Sequence, residues 1–196
     1  MVLKKKFFNV EVPIIGEETE LIAYNIEEIH GKNIKIDLTR ILRGKNVELK
    51  AKIKVEKEKA TAYPIQITVL PYYIRRAVRK GTDYVEDSFK IECKDALLRV
   101  KPFLVTRKKV SRSVRKALRN KAKQEISDYV KDKTFEELFD DLLKNKLQKH
   151  LSLILKKIYP LSLCEIRIFE VTKLLENSAE QTKKPKKKEE STVEEQ

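Results

Sequence analysis

The stretch VELKAKIKV constrains the fold more than any other part of this sequence, because apolar and charged residues alternate strictly through it. Apolar side chains occupy every second position from Val47 to Val55, and Glu48 and three lysines fill the positions between them. A period of two is that of a β-strand with one buried and one solvated face, and it does not fit the period of a helix. The chain is therefore expected to form a sheet whose outer face is solvent-exposed and mostly basic.

Further strand patterns occur on both sides of this one. They are KFFNVEVP, NIKIDL, PIQITVL, TDYVEDSFKIEC, ALLRVKPFLVT and, late in the chain, LCEIRIFEV. The Lys94-Asp95 turn before ALLRVKPFLVT indicates a hairpin, and Pro102 inside that run indicates an edge or a bulge. We predict an α+β fold with a barrel-like antiparallel sheet of about six to seven strands in the N-terminal half, to which the final strand returns.

Helical patterns begin within the first half and dominate the second. A short basic helix is predicted at YYIRRAVRKG, closed by Gly81. The main helix starts at a cap formed by Ser111 or Ser113 and runs to about Val130, because apolar residues recur there every four positions. The apolar seam of this helix comprises Val110, Val114, Leu118, Ala122 and Ile126.

Two further helices are predicted between the main helix and the final strand. Thr134 and Glu137 have the spacing of a capping box and open the first of them. The second runs from Leu147 to Ile158. Beyond it, residues 176–196 are polar and show no periodicity, so we predict a single domain over residues 1–175 followed by a disordered charged tail.

The charge of the chain is strongly positive and unevenly distributed. The formal net charge is +14, and residues 1–175 carry +15, with 39 basic residues against 24 acidic ones. The segment from Lys101 to Gln124 holds ten Lys and Arg and no Asp or Glu. Much of it falls on the predicted main helix, so the charge is displayed on a rigid element. This pattern favours an anionic partner, and the phosphates of nucleic acid are the first candidate.

Eighteen basic residues form the candidate RNA-binding set. They are Lys4, Lys5, Lys6, Arg75, Arg76, Arg79, Lys80, Arg99, Lys101, Arg107, Lys108, Lys109, Arg112, Arg115, Lys116, Arg119, Lys121 and Lys123. Lysine and arginine make most protein contacts to phosphate, and arginine adds a planar fork that grips it with two hydrogen bonds. An ordinary solvated basic face is the alternative interpretation of the same residues.

The motifs of enzymes and metal proteins are missing from the sequence. The four glycines form no phosphate-binding loop, and the two histidines and two cysteines are too scattered for a zinc site. We predict no catalytic residue, cofactor, metal or small-molecule substrate. No apolar run approaches the roughly 18 residues of a membrane span, and no signal-peptide core follows the basic start. An intracellular protein without a membrane partner is predicted.

The type of nucleic acid follows from what accompanies the charge. The sequence shows no helix-turn-helix, zinc-finger or zipper spacing, and no strand with the aromatic pattern of RNA-recognition domains. Most of the seven Tyr and seven Phe are expected in the core, which leaves few for base stacking. The pattern favours the phosphate-rich surface of folded RNA. An RNA-processing enzyme that uses the basic face only to dock, and a peripheral membrane binder, remain as alternatives.

Four segments together resemble a family of ribosomal proteins. Their order and spacing along the chain are similar to those of the S3Ae family of the archaeal and eukaryotic small ribosomal subunit. The segments are YIRRAVRK, KDALLRVKPFLVTRKK, SRSVRKALRNKAKQEI and KKIYPLSLCEIR. The matching residues are Asp95, Leu98, Arg99, Thr106, Arg107, Lys108, Val114, Arg115 and Lys116. The resemblance spans residues 5 to 172, and it departs from the family pattern at residues 69–71 and at Ala96.

This resemblance implies a function as well as a fold. It implies a structural protein of the small subunit whose partner is ribosomal RNA, bound to cytoplasmic ribosomes. It further implies a position on the platform, near the messenger exit and beside a protein of the S11 family. Under this interpretation the unpaired basic residues are countercharges for ribosomal RNA.

Overall fold

The computed structural model describes residues 4–42, 44–56 and 59–175, so the predicted tail at 176–196 lies outside the described residues. The described ranges hold nine strands: β1 (Lys6–Val12), β2 (Glu17–Ala23), β3 (Asn33–Asp37), β4 (Val47–Glu56), β5 (Lys59–Val69), β6 (Tyr84–Glu86), β7 (Phe89–Glu92), β8 (Ala96–Thr106) and β9 (Leu161–Leu174). They hold four α-helices: α1 (Pro71–Ala77), α2 (Arg112–Lys131), α3 (Phe135–Leu143) and α4 (Lys146–Leu155). The α+β prediction is confirmed, and β9 joins the sheet as predicted.

The sheet has more strands than the pattern indicated. The run TDYVEDSFKIEC forms two strands, β6 and β7, which are separated by Asp87 and Ser88, and the Asp87 side chain accepts a hydrogen bond from the backbone N–H of Ser88 there. The strand β2 was not predicted. The sheet is also mixed, since Val10 and Glu11 of β1 pair in parallel with Ala60 and Thr61 of β5.

Two long strands organise the sheet. One edge of β5 pairs with β4 along its whole length, so β1 and β9 share the opposite edge, at residues 60–61 and 66–68 respectively. One edge of β8 pairs with β9, and the other takes β7 and then β6. The register between β8 and β9 shifts between Lys101 and Pro102, which confirms the predicted bulge. The edge strand β6 thereby lies beside the end of β8 from which α2 begins.

The helices pack their apolar seams into one core with the sheet. Leu118, Ala122 and Ile126 of α2 are at most 1% exposed, as the four-residue period predicts. Ser111 is the N-cap, and its hydroxyl accepts from the Val114 N–H at 3.5 Å. The capping box of α3 is present as predicted, and this helix lays Phe139 edge-on against Phe169 of β9, with 5.1 Å between ring centroids. The position of α2 against the sheet is therefore fixed by burial.

None of the helices in the described ranges combines the length and the apolar character needed to cross a membrane. Both cysteines are free: Cys93 is buried and Cys164 is half-buried in β9. Burial raises the pKa of the Cys164 thiol to about 12, and the neighbouring Glu165 carboxylate acts in the same direction. This thiol is therefore protonated at neutral pH.

Candidate nucleic-acid interface

Two loops that carry candidate residues are joined by hydrogen bonds around Asp83. The backbone N–H of Asp83 donates to the Thr106 hydroxyl oxygen at 3.1 Å, and the Thr106 N–H donates to the Asp83 carbonyl at 2.9 Å. The Asp83 carboxylate accepts from the Val110 N–H at 3.0 Å. We call this set of bonds the Asp83 clasp. It holds the loop that leads into β6 against the loop that leads from β8 into α2.

The clasp brings cations from distant parts of the chain into one region. Arg79 and Lys80 lie in the turn before Asp83, which Thr82 closes by hydrogen-bonding to Arg79 and which Gly81 completes at φ 91°. This corrects the prediction that Arg79 and Lys80 lie on the short helix, because α1 ends at Ala77 where Val78 takes an extended backbone. The three exposed cations of the opposing loop are Arg107, Lys108 and Lys109.

The helix α1 extends this region with two further arginines. Pro71 occupies its first turn, where a missing N–H costs nothing. Arg75 and Arg76 are both exposed. The guanidinium of Arg76 donates to the side-chain oxygen of Asn46 at 2.9 Å and lies 5.7 Å from the centre of the Tyr73 ring. Arg76 is therefore oriented by its neighbours.

On α2, exposed cations form a stripe along one side of the helix. Arg112, Lys116, Arg119 and Lys123 are spaced by four, three and four residues, so they share one side over about 16 Å. Arg115 is half-buried next to this stripe. Lys123 lies 5.7 Å above the ring of Phe89 in β7, which places the stripe on the β7 side of α2. The first turn of α2 contains no acid, although the helix dipole favours acids there.

We use the name basic surface for the cations of α1, the two clasped loops and the α2 stripe. Its members are Arg75, Arg76, Arg79, Lys80, Arg107, Lys108, Lys109, Arg112, Arg115, Lys116, Arg119 and Lys123. Among the residues that the structure describes, none of these has a carboxylate oxygen within 4.0 Å. The surface is thus a local excess of positive charge.

The other candidate residues lie apart from the basic surface or have a partner. Arg99 precedes Thr106 by seven residues, about 23 Å along β8, and approaches Glu170 to 4.0 Å. Lys101 is half-buried on the same strand. Lys121 forms an ion pair with Glu125 at 2.8 Å on α2.

The three lysines Lys4, Lys5 and Lys6 lie at the opposite end of the sheet. Strand β1 runs parallel to β5 with Val10 beside Ala60, whereas α1 follows the far end of β5. Nine residues of strand separate Ala60 from that end, which is about 30 Å. The ammonium of Lys5 lies 5.4 Å from the centre of the Tyr24 ring. These lysines therefore lie at the opposite end of the sheet from the basic surface.

Sequence reasoning missed several exposed residues outside the candidate set. Tyr72 and Tyr84 are 47% and 54% exposed, although most aromatic residues were expected in the core. On α4 and just after it, Lys149, Lys156 and Lys157 are exposed and have no carboxylate within 4.0 Å in the described ranges. The helical spacing of these lysines around buried Leu151 and Leu155 was a usable signal.

The potential metal ligands are dispersed over the structure. No group of three His, Cys, Asp or Glu side chains in the described ranges is arranged to hold a metal ion. His30 is exposed, and its Nδ1 accepts a hydrogen bond from the backbone N–H of Val55 at 3.1 Å. His150 is exposed on α4, with its ring 5.6 Å from that of Tyr129.

Comparison with known proteins identifies the family. The model of the ribosomal S3Ae family matches residues 1–174. The chain belongs to the ribosomal S3Ae family. The small ribosomal subunit protein eS1 of Nanoarchaeum equitans is 29% identical to it over 174 residues, which cover 85% of this chain and 88% of that protein. The S3Ae match includes the whole basic surface, both clasped loops and all nine strands.

Proposed function

We propose that this S3Ae chain is a structural constituent of the small ribosomal subunit that binds ribosomal RNA through the basic surface. Family membership and the name of its archaeal relative support the ribosomal assignment. The observation that carries the RNA contact is the Asp83 clasp, which brings together cations of the basic surface from two chain segments, residues 75–80 and 107–123. None of these members of the basic surface has a described carboxylate oxygen within 4.0 Å. Phosphates supply the missing countercharges.

The resemblance to the family supports a site on the platform, near the messenger exit and beside a protein of the S11 family, in cytoplasmic ribosomes. Arg99, Lys101, Lys121 and the N-terminal lysines are proposed as additional RNA contacts outside the basic surface. Membership in a ribosomal protein family supports a structural role over the alternative of an RNA-processing enzyme.

The RNA contact is tested by removing charge from α2. The variant Arg112→Gln, Arg115→Gln, Lys116→Gln and Arg119→Gln is expected to weaken binding to small-subunit RNA and to flatten its salt dependence. Each lost phosphate contact lowers the slope of log K against log salt by about 0.7 to 0.9. Binding is measured by filter retention over a range of salt concentrations.

A second variant separates local charge from net charge. It replaces four exposed lysines around the β4–β5 end and β9, namely Lys52, Lys54, Lys59 and Lys173, with Gln. Both variants lose four positive charges, but only the first is expected to reduce affinity strongly. Equal losses would show that the protein attracts RNA by its overall charge and not through the basic surface.

The ribosomal assignment has its own test. Cell extract is separated on a sucrose gradient at low and moderate salt, and the chain is detected with an antibody. Co-migration with the small subunit at both salt concentrations is expected. A chain that stays at the top of the gradient at every salt concentration would contradict the proposal.

A further inference from the structure

The ring of Tyr84 is exposed beside the two clasped loops of the basic surface. It is 54% exposed and belongs to β6, which is an edge strand of the described sheet. The ring packs against Phe103, with 5.8 Å between centroids and 31° between planes. Phe103 is only 2% exposed, so it supports the Tyr84 ring from within the protein.

The clasp controls where this ring lies. Tyr84 directly follows Asp83 and pairs in register with Val105 of β8, one residue before Thr106. The hydrogen bonds of Asp83 and Thr106 therefore fix the backbone on both sides of the ring. Lys80 precedes Tyr84 by four residues, and Arg107 follows Val105 by two. The backbone that carries the ring thus adjoins both basic loops.

The acids near the ring already have partners. The carboxylate of Asp83 accepts from the Val110 N–H at 3.0 Å, and Glu86 binds Arg167 at 2.5 Å. Glu86 is thus paired with a cation, and the remaining charge of Asp83 is outnumbered by the five cations of the two loops, which are Arg79, Lys80, Arg107, Lys108 and Lys109. An anionic ligand next to Tyr84 therefore meets cations and one flat aromatic face.

We propose that Tyr84 stacks on the base of an unpaired nucleotide whose flanking phosphates bind the two clasped loops. This inference rests on the proposed function and specifies the form of RNA that the basic surface takes. In an RNA helix the bases are stacked on each other, so their faces are inaccessible to a side chain. A base in a loop, bulge or single strand presents a free face, and stacking of an aromatic side chain on it is tolerant of sequence.

The test compares two RNA probes with the full chain. One is an RNA hairpin with an unpaired loop, and the other is a blunt RNA duplex with the same number of nucleotides. The variants are Tyr84→Leu, which keeps apolar bulk but removes the flat ring, and Tyr84→Phe, which keeps the ring. Loss of one stacking contact is expected to weaken hairpin binding of Tyr84→Leu by about 5- to 150-fold. Duplex binding and the salt dependence should not change, because no charge is removed.

The outcomes separate this inference from the proposed function. Retained affinity for the hairpin in Tyr84→Phe, together with loss in Tyr84→Leu, supports stacking. Full hairpin affinity in Tyr84→Leu, or equal losses for hairpin and duplex, would overturn the stacking proposal while salt-dependent RNA binding still stands. If the wild-type chain bound neither probe, the proposed function itself would fail.

A spectroscopic readout follows the base directly. The hairpin carries 2-aminopurine at an unpaired position, and stacking on an aromatic ring quenches its fluorescence. Quenching is expected on binding of the wild-type chain and of Tyr84→Phe, and it should be lost with Tyr84→Leu at saturating protein. The thermal unfolding midpoint of each variant is measured as a control for folding. Quenching that persisted in saturated Tyr84→Leu would assign the stacking to another residue.

Discussion

The surroundings of Asp141 hold the pKa of its carboxyl group well below the ordinary value. It is 6% exposed at the junction of α2, α3 and α4. It accepts hydrogen bonds from Lys133 at 2.5 Å and from the Tyr129 hydroxyl at 2.8 Å, and Lys146 lies 3.0 Å away. Burial alone would raise its pKa, but these donors outweigh burial and hold the pKa at about 2. The ionised form of Asp141 therefore stabilises the folded chain.

We expect Asp141→Asn to destabilise the protein in a pH-dependent way. A lowered pKa gives stability that is present above the unfolded value of 3.8 and disappears as the pH falls through about 2. At pH 7 the variant should lose roughly 2 kcal/mol, and the difference from wild type should vanish below pH 2. Urea unfolding at neutral and acidic pH measures this. Asp140→Asn is the control, because its ion pair with Lys144 is half exposed and contributes less than about 1 kcal/mol.

Thr106 is the residue through which the two basic loops are joined. It is fully buried, and its hydroxyl donates towards the carbonyls of Asp83 and Lys108 and accepts from the Asp83 N–H. Valine has the same shape but no polar atom. Thr106→Val would leave the Asp83 N–H and the Lys108 carbonyl without this partner, which costs about 1–3 kcal/mol, while the backbone bond from residue 106 to the Asp83 carbonyl remains.

We expect Thr106→Val to lower both the free energy of unfolding and the affinity for RNA. The affinity falls because the two loops no longer hold their cations in one place, although no charge is lost. Unfolding in urea and filter binding measure the two effects on the same preparation. The matched control is Thr61→Val on β5, whose hydroxyl bonds only to the Lys54 carbonyl in an exposed position. Normal RNA affinity in a destabilised Thr106→Val variant would contradict a positioning role.

At the scale of elements, α2 combines a favourable cap with unfavourable charges. Ser111 caps its N-terminus, but Arg112, Arg115 and Lys116 occupy its first turns, where the helix dipole repels positive charge. Each such charge costs about 0.3–1 kcal/mol at low salt. The free protein is thus less stable than a neutral α2 would make it.

We therefore expect the four-glutamine variant of α2 to unfold at a slightly higher temperature than wild type while binding RNA less well. The increase in unfolding temperature should be largest at low salt and should shrink as salt screens the interaction of the charges with the helix dipole. Differential scanning calorimetry at two salt concentrations measures it. A lower unfolding temperature at low salt would show that these arginines contribute to the fold and not only to binding.

Local patterns predicted some elements well and others poorly. The seam and cap of α2 and the capping box of α3 depend on residues a few positions apart, so they were predictable. Strand β2 was missed because Ile22 lies on the exposed side of a strand with three glutamates, which breaks the alternation. This strand forms by antiparallel pairing with β1, which the local pattern of its own residues does not reveal.

The candidate site was predictable in composition but not in geometry. The cations of α2 were evident as an acid-free run. Their union with Arg79 and Lys80 depends on Asp83 and Thr106, which are 23 residues apart and pair only in the folded sheet. The separation of Lys4–Lys6 from this surface likewise depends on the parallel pairing of β1 with β5.

At the scale of the whole molecule, a nearly buried ion pair connects the first third of the chain to the last strand. Lys45 and Glu165 are each 13% exposed and 2.6 Å apart, and Lys45 also donates to the Asn145 side chain at 2.9 Å. Removing one partner of such a pair leaves the other charge buried without compensation, which costs about 3–5 kcal/mol. Replacing both by apolar residues avoids that penalty.

We expect Lys45→Met to be strongly destabilising and the double variant Lys45→Met with Glu165→Leu to recover most of the loss. A double-mutant cycle in urea measures the coupling between the two residues. For one domain over residues 1–175, circular dichroism and tyrosine fluorescence should report the same single transition in every variant. Two separate unfolding transitions would show that residues 1–175 form more than one domain. If the losses of unfolding free energy in the two single variants simply added in the double variant, the two side chains would not interact.

The place of β9 at the end of the domain has a consequence for synthesis. This strand bridges β5 and β8, whose residues precede their β9 partners by 100 to 104 positions and by 55 to 78 positions respectively. During translation the edges of both strands stay unpaired until β9 emerges, and unpaired edges are prone to association with other chains. Pairing over such long separations is also slow. A newly made chain therefore exposes its cations before its sheet is complete, and early capture by an anionic polymer would shield it during that interval.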